Sequence, residues 1–316
     1  MAVGDVDPDV ARRRLRNTLR RMRDSQELKQ AQVATEMSWS VSKLIRIETG
    51  QVTISVNDLK ALLPFYNVTD KQTVNSLIDL ARSSRTHSWT HAYRDYASEV
   101  FRSFLGYEAA AISSYSFQPM LVPGLLQTDE YAREALQVTR GSKAPERIDA
   151  LVNLRIARQE RVFSRTDGIK LQYLLDESVV RRNVGGPEIM RSQLESLMEA
   201  CDSERVSIRI IPFSVGLYRS MRVPFVVLEF DDPAEDPVLY LEYPHRESLI
   251  REDGPFEDDD EAVPAQSPPT TPPTYLQIFA ELYEHTTEAE TRGILENALK
   301  LLGPEGVPGD EGREAV

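Results

Sequence analysis

Residues 29–50, KQAQVATEMSWSVSKLIRIETG, constrain this chain more than any other stretch. Apolar positions recur at helical spacing on both sides of a break, so the stretch reads as two short helices joined by a tight turn. In the first helix Ala31, Val33, Ala34 and Met37 share one side, and Gln30 stands at the exposed start. Ser38, Trp39 and Ser40 interrupt the pattern. Ser40 is placed to cap the second helix by accepting a hydrogen bond from a free backbone N–H. There Val41, Leu44, Ile45 and Glu48 are expected to face the first helix, while Ser42, Lys43 and Arg46 face away. The small side chains of Ala31 and Ala34 let the two helices cross closely at a steep angle.

Around this unit the sequence predicts further helices. One opens at Pro8 or Asp9 and runs to about Ser25, with Leu15, Leu19 and Met22 inward and Arg12, Arg13, Arg14, Arg16, Arg20 and Arg21 on a solvated or phosphate-facing side. Ser55 caps a fourth helix carrying Leu59, Leu62, Leu63 and Tyr66, and residues 70–83 form a fifth. Residues 1–85 are therefore expected to make an all-α head. Residues 86–107 are rich in aromatics (Trp89, Tyr93, Tyr96, Phe101, Phe104 and Tyr107) and read as a connecting helix. Their near-helical spacing, with Asp95 and Glu99 between, points to packing rather than to a base-stacking surface.

Net charge is −13, which argues against nucleic acid until it is divided. Residues 1–85 hold 14 Lys and Arg against 10 Asp and Glu, a balance of +4, which leaves −17 on the remainder. A basic head on an acidic body orients an encounter with phosphate. At 316 residues the chain is long enough for two domains, and 41% hydrophobic content fills sizeable cores. There is no apolar run of membrane-spanning length and no signal-peptide pattern, and Cys201 has no disulfide partner, so a cytoplasmic location is expected. The four His residues show no metal-ligand spacing, and neither metal nor cofactor is expected.

Residues 108–302 read as an α+β domain with a mainly antiparallel sheet and helices on one face. Its strands are expected at 169–175, 206–211, 225–230 and 238–243, and residues 108–120 pass into an extended run. Residues 251–274, acidic and then Pro-rich, read as a disordered loop, and residues 303–316 as a flexible tail. Glu177, Arg181 and Arg182 stand at a strand end before Gly185 and Gly186. They are a possible ligand-binding group for an anion or polar molecule, against the plainer reading of a cap and a surface ion pair. No nucleophile elbow or phosphate-loop frame occurs, and Cys201 sits beside Asp202 and Glu204, which do not activate a thiol. No catalytic residues are expected, and the protein is not expected to be an enzyme.

Gln30, Ala31, Ala34, Ser42, Ile45 or Leu44 and the run RIETG at 46–50 resemble the XRE (Cro/CI repressor-like) helix-turn-helix family over roughly residues 10–68. The resemblance implies that the second helix lies in the DNA major groove. Ser40, Ser42, Lys43 and Arg46 would then face base edges or flanking phosphates, and Gln30 would bond a phosphate. It also implies a structural pair between Arg23 and Glu48. Ser38 stands where the family usually has Gly in a left-handed turn, a conformation Ser tolerates less well.

A second resemblance covers roughly residues 90–302. EAAAI at 108–112, VPGLLQT at 122–128, LRIARQERVF at 154–163, DESVVRRNVGGPE from Asp176 and IIPFSVGLYRSMRVPFVVLEF at 210–230 are similar to the C-terminal domain of WhiJ-like actinobacterial regulators. Head and body together imply a sequence-specific transcriptional regulator of double-stranded DNA. It would be a homodimer whose body senses a small molecule or a small partner protein, with no membrane partner. The alternatives are a DNA-tethered enzyme with Glu177, Arg181 and Arg182 in a pocket, and an antitoxin-like protein that captures a small partner.

Overall fold

The computed structural model describes residues 8–86, 88–140, 144–166, 168–231, 236–243, 247–251, 254–255 and 271–303. Two compact units divide the chain, Met1–Ala110 and Ala111–Val316. The first is helical: α1 (Pro8–Ser25), α2 (Gln30–Glu36), α3 (Val41–Glu48), α4 (Val56–Phe65), α5 (Lys71–Ser83), a 3-10 turn at Trp89–Tyr93, and α6 (Glu99–Glu108). Side chains of Ser40, Ser55, Asp70 and Ser98 cap α3, α4, α5 and α6 by accepting from a backbone N–H three residues on.

Each of α1 to α4 stops on a residue with positive φ: Glu27 (54°), Ser38 (54°), Gly50 (83°) and Asn67 (58°). After α2 the N–H of Ser38 reaches Thr35 O at 3.1 Å and that of Trp39 reaches Ala34 O at 2.8 Å. This doubly bonded end satisfies the last carbonyls and turns the chain sharply into α3.

The core of the first unit gathers Leu15, Leu19, Val33, Leu44, Ile47 and Leu59 from four helices. Val33 and Ala34 of α2 are buried, but Ala31 is exposed. The expected solvated arginine face of α1 is not uniformly wet. Arg13 and Arg16 are buried, and the Arg13 guanidinium lies 4.5 Å from the centre of the Tyr107 ring on α6. That stacking draws α6 into the first unit, which therefore runs to Ala110 rather than ending at 85 with a separate connecting helix.

Among the described residues the second unit has one seven-stranded sheet: β1 (Ser113–Gln118), β2 (Lys170–Asp176), β3 (Val206–Ile211), β4 (Phe225–Glu229), β5 (Val238–Glu242), β6 (Glu247–Arg251) and β7 (Gly254–Pro255). Their order is β3-β2-β1-β4-β5-β6-β7. β1, β2 and β3 are parallel, because α7 (Asp129–Arg140) with α8 (Pro145–Phe163), then α9 (Glu177–Arg181) with α10 (Pro187–Ala200), supply the crossovers that parallel neighbours need. The ladders from β1 to β4 and onward to β7 are antiparallel, so the sheet is mixed and mostly antiparallel.

Helices on one face alone do not describe this sheet. Neighbouring residues of a strand point to opposite faces, yet Phe225, Val226, Val227 and Leu228 are all buried, so both faces are covered. α11 (Pro272–Tyr283) covers the face that carries Phe117, Leu174 and Phe225. The stretch 251–274 also needs correction. Arg251 ends β6, Gly254–Pro255 pairs with it, and α11 already starts at Pro272. Residues 256–270, and the tail from 304, lie outside the described residues.

β3 is a sheet edge, and its open backbone is not left bare. Ile210 N donates to Thr291 Oγ1 at 3.0 Å, and Ile210 O accepts from Thr286 Oγ1 at 2.8 Å. Both threonines are buried, at the start of and just before α12 (Glu288–Leu301), which packs along β3. Side-chain hydroxyls thus replace a missing strand.

Three stability changes follow. Ser38→Gly is expected to raise the stability of residues 1–110 by about 0.5–1 kcal/mol, because left-handed backbone costs Ser more than the entropy Gly adds. Gly50→Ala is expected to lower it, since a Cβ there lies 2.8 Å from Arg16 Nη1. In the second unit Thr291→Val keeps the shape but orphans Ile210 N, which is expected to cost roughly 1–3 kcal/mol. Denaturant melts of the variants check all three.

Candidate nucleic-acid interface

α3 spans eight residues, about 12 Å of helix. A helix this short does not hold itself in water, so its position must come from its neighbours. Leu44 and Ile47 anchor it in the core, and Glu48 is buried beside them.

The structure brings Arg23 and Glu48 together. Arg23 Nε lies 2.6 Å from Glu48 Oε1, and Arg23 Nη2 lies 3.1 Å from Oε2, a two-pronged pair. The Arg23 side chain is 11% exposed and that of Glu48 only 4%. Glu48 Oε2 also accepts from Gln30 Nε2 at 2.7 Å, and Arg23 Nη1 donates to the Leu28 carbonyl at 2.9 Å. One buried carboxylate therefore ties the end of α1, the start of α2 and the last turn of α3. Burial lowers the Arg23 pKa, but the hydrogen bond and charge of Glu48 outweigh it, and the net shift is upward. Burial, followed by the Glu48 charge, also pushes the nearby Tyr66 hydroxyl well above its ordinary range.

A second arginine works on the same helix end. Arg16 Nη1 donates to the Thr49 carbonyl at 3.1 Å, at the C-cap of α3, where the helix dipole favours a cation. Arg16 and Arg23 are two helical turns apart on α1, so one face of α1 holds α3.

The proposed contact residues divide into three groups. Ser42 and Arg46 are exposed, and neither makes a side-chain hydrogen bond or ion pair among the described residues. Ser40 caps α3 through Lys43 N at 3.1 Å, and its hydroxyl proton remains available. Lys43 and Gln30 are engaged within the head. Lys43 Nζ lies 3.1 Å from Asp58 Oδ2 and 4.1 Å from the centre of the Trp39 ring, so it does not simply face away. Gln30 is bonded to Glu48 rather than presented to solvent alone.

The inward face of α3 is rotated from the sequence reading. Ile47 is buried, whereas Val41 and Ile45 are 41% and 40% exposed beside Ser42 and Arg46. The stripe Leu44, Ile47 and Glu48 has the required three- and four-residue spacing. Recognising Glu48 as a buried ligand of Arg23 selects that stripe.

In the second unit, Glu177, Arg181 and Arg182 do not converge on a shared opening. Arg181 Nε and Nη2 bind Glu177 Oε1 at 2.9 and 2.8 Å, and Glu177 Oε2 accepts from Phe213 N at 2.9 Å. Arg182 is exposed. Nearby, a cleft of about 370 Å³, lined by Met120, Asp176, Phe213, Leu217 and Met221, opens at the carboxyl ends of parallel β1, β2 and β3. At its side Tyr218 donates to Asp176 at 2.5 Å, and burial together with that carboxylate pushes the tyrosine pKa far up. The sequence does not announce this cleft, because its apolar residues come from two loops far apart in the chain, after β1 and after β3.

The VPGLLQT turn is a structural fixture. Gln193, fully buried on α10, accepts from Thr128 N at 2.8 Å and donates to Leu126 O at 2.7 Å. Gln159 donates to Gly124 O and to Gln127 O, each at 2.9 Å.

Among known families, one described as a helix-turn-helix domain matches residues 14–75. Another, described as a domain of unknown function (DUF5753), matches residues 101–262. No curated protein and no solved structure matches the chain. The first match contains α2, α3 and both arginines that hold α3.

The clamp makes a quantitative expectation. Arg23→Met or Glu48→Gln alone strands a buried polar partner and is expected to destabilise residues 1–110 by roughly 3–5 kcal/mol. Replacing both by apolar residues is expected to cost less than the sum. A double-mutant cycle measures the coupling, and additivity within about 0.3 kcal/mol would show that the pair carries none.

Proposed function

The chain belongs to the DUF5753 family, and we propose that it is a sequence-specific transcriptional regulator that reads double-stranded DNA through α3. The helix-turn-helix match supports a DNA-binding regulator. XRE-like docking of α3 and a WhiJ-like pairing of head and body are part of this proposal. The observation that carries it is the outward face of α3: Ser42, Ile45 and Arg46 lie open while its other end is fixed to α1 and α2. A helix about 10–12 Å across fits a major groove about 12 Å wide. The +4 balance of residues 1–85 favours phosphate.

The body is proposed to dimerise and to sense an effector in the cytoplasm. Its cleft at the ends of three parallel strands supports a small, largely apolar effector, since ligands of open α/β sheets bind beyond such strand ends. Regulation rather than catalysis suits this body, because Glu177 and Arg181 are already engaged with each other and with a backbone N–H.

Selection from a random duplex pool, followed by footprinting, tests the reading. The expected result is a pseudo-palindromic site with half-sites about one helical turn, roughly 34–36 Å, apart, bound by two chains. Full-affinity binding of one chain to one unsymmetrical half-site would refute the dimer.

A further inference from the structure

On the exposed face of α3 the side chains form two parallel strips. Ser42 and Arg46 make a polar strip, and Val41 and Ile45, one turn apart, make an apolar strip beside it. Single exposed apolar residues are ordinary on protein surfaces. Here two β-branched side chains stand together on a helix whose other apolar residues, Leu44 and Ile47, are buried. The surroundings are basic: Arg46 is free of side-chain partners among the described residues, and the head carries a balance of +4. The polyanionic partner that this charge selects presents one apolar group on the floor of its major groove, the C5-methyl of thymine.

We propose that Val41 and Ile45 read thymine methyl groups, so that the half-site holds thymines about two base pairs apart, flanked by the base that Arg46 contacts. The spacing follows from geometry. Residues four apart on a helix are separated by about 6 Å along its axis, and successive base pairs by about 3.4 Å. Cytosine offers no methyl at that place, and a guanine or adenine edge is polar there. Val41 and Ile45 would then bury apolar surface against a poorly matched partner. Arg46, on the adjoining strip, is suited to the paired acceptors of guanine. This assignment rests on α3 entering the major groove.

The test uses the full-length protein and a duplex selected from a random pool. Each thymine of the selected half-site is replaced in turn by deoxyuridine, which removes only the methyl. At one or two positions binding is expected to weaken roughly fourfold per methyl, the loss for one buried group of that size. Ile45→Ala and Val41→Ala should each abolish the sensitivity at one position. Their folding is secured by exposure and by the high helix propensity of Ala, and an unchanged melt confirms it. At a sensitive position, 5-methylcytosine should bind better than cytosine. If the selected site depends on Arg46 but no thymine methyl affects binding, the methyl reading is overturned while the DNA-reading role of α3 stands. If no duplex is enriched and substitutions on α3 leave DNA binding unchanged, the role of α3 fails and the methyl reading with it.

Discussion

The buried carboxylate of Glu48 is the constraint on which the DNA-binding head depends. A charge at 4% side-chain exposure is tolerable only with its acceptors filled, and Arg23 and Gln30 fill them from two other helices. Satisfying it therefore fixes the end of α3 relative to α1 and α2 together. Such a pair need not add much net stability, because desolvating both ions offsets their attraction. Its consequence is geometric: a helix too short to stand alone acquires one orientation. Arg16, at the C-cap carbonyl of the same helix, reinforces that orientation from the same face of α1.

The body follows the same rule with neutral groups. Buried Gln193 closes the backbone of the VPGLLQT turn, and Thr286 and Thr291 close the outer edge of β3. In each case a buried polar side chain is explained by the backbone group it satisfies. The apolar cleft lies where three parallel strands end, and among the described residues Met120, Leu217 and Met221 are left exposed there.

Much of the head was legible because helix periodicity and caps are local signals. Ser40 and Ser55 cap the helices expected of them, and Asp70 caps the fifth. The αL stop at Gly50 follows from its residue type, whereas Glu27 and Ser38 adopt the same region without a residue type that favours it. The facing of α3 differs from the sequence expectation at Val41 and Ile45, and buried Ile47 was not assigned, since apolar residues occur on both sides of that helix. β1 escaped as a strand because its buried Ser113, Ser114 and Ser116 give no apolar alternation. Lys43 and Gln30 looked free because their partners, Asp58 and Glu48, are distant in sequence.

On the proposed function, the open face of α3, rather than the charge of the head, selects the DNA. The direct measurement is the ratio of affinities for the selected duplex and a random duplex, at one salt concentration, for wild type and Arg46→Ala. A lost base contact of about 1–3 kcal/mol should lower that ratio roughly five- to 150-fold, with a smaller loss on random duplex. An equal loss on both duplexes would make Arg46 a sequence-blind phosphate contact and contradict the account.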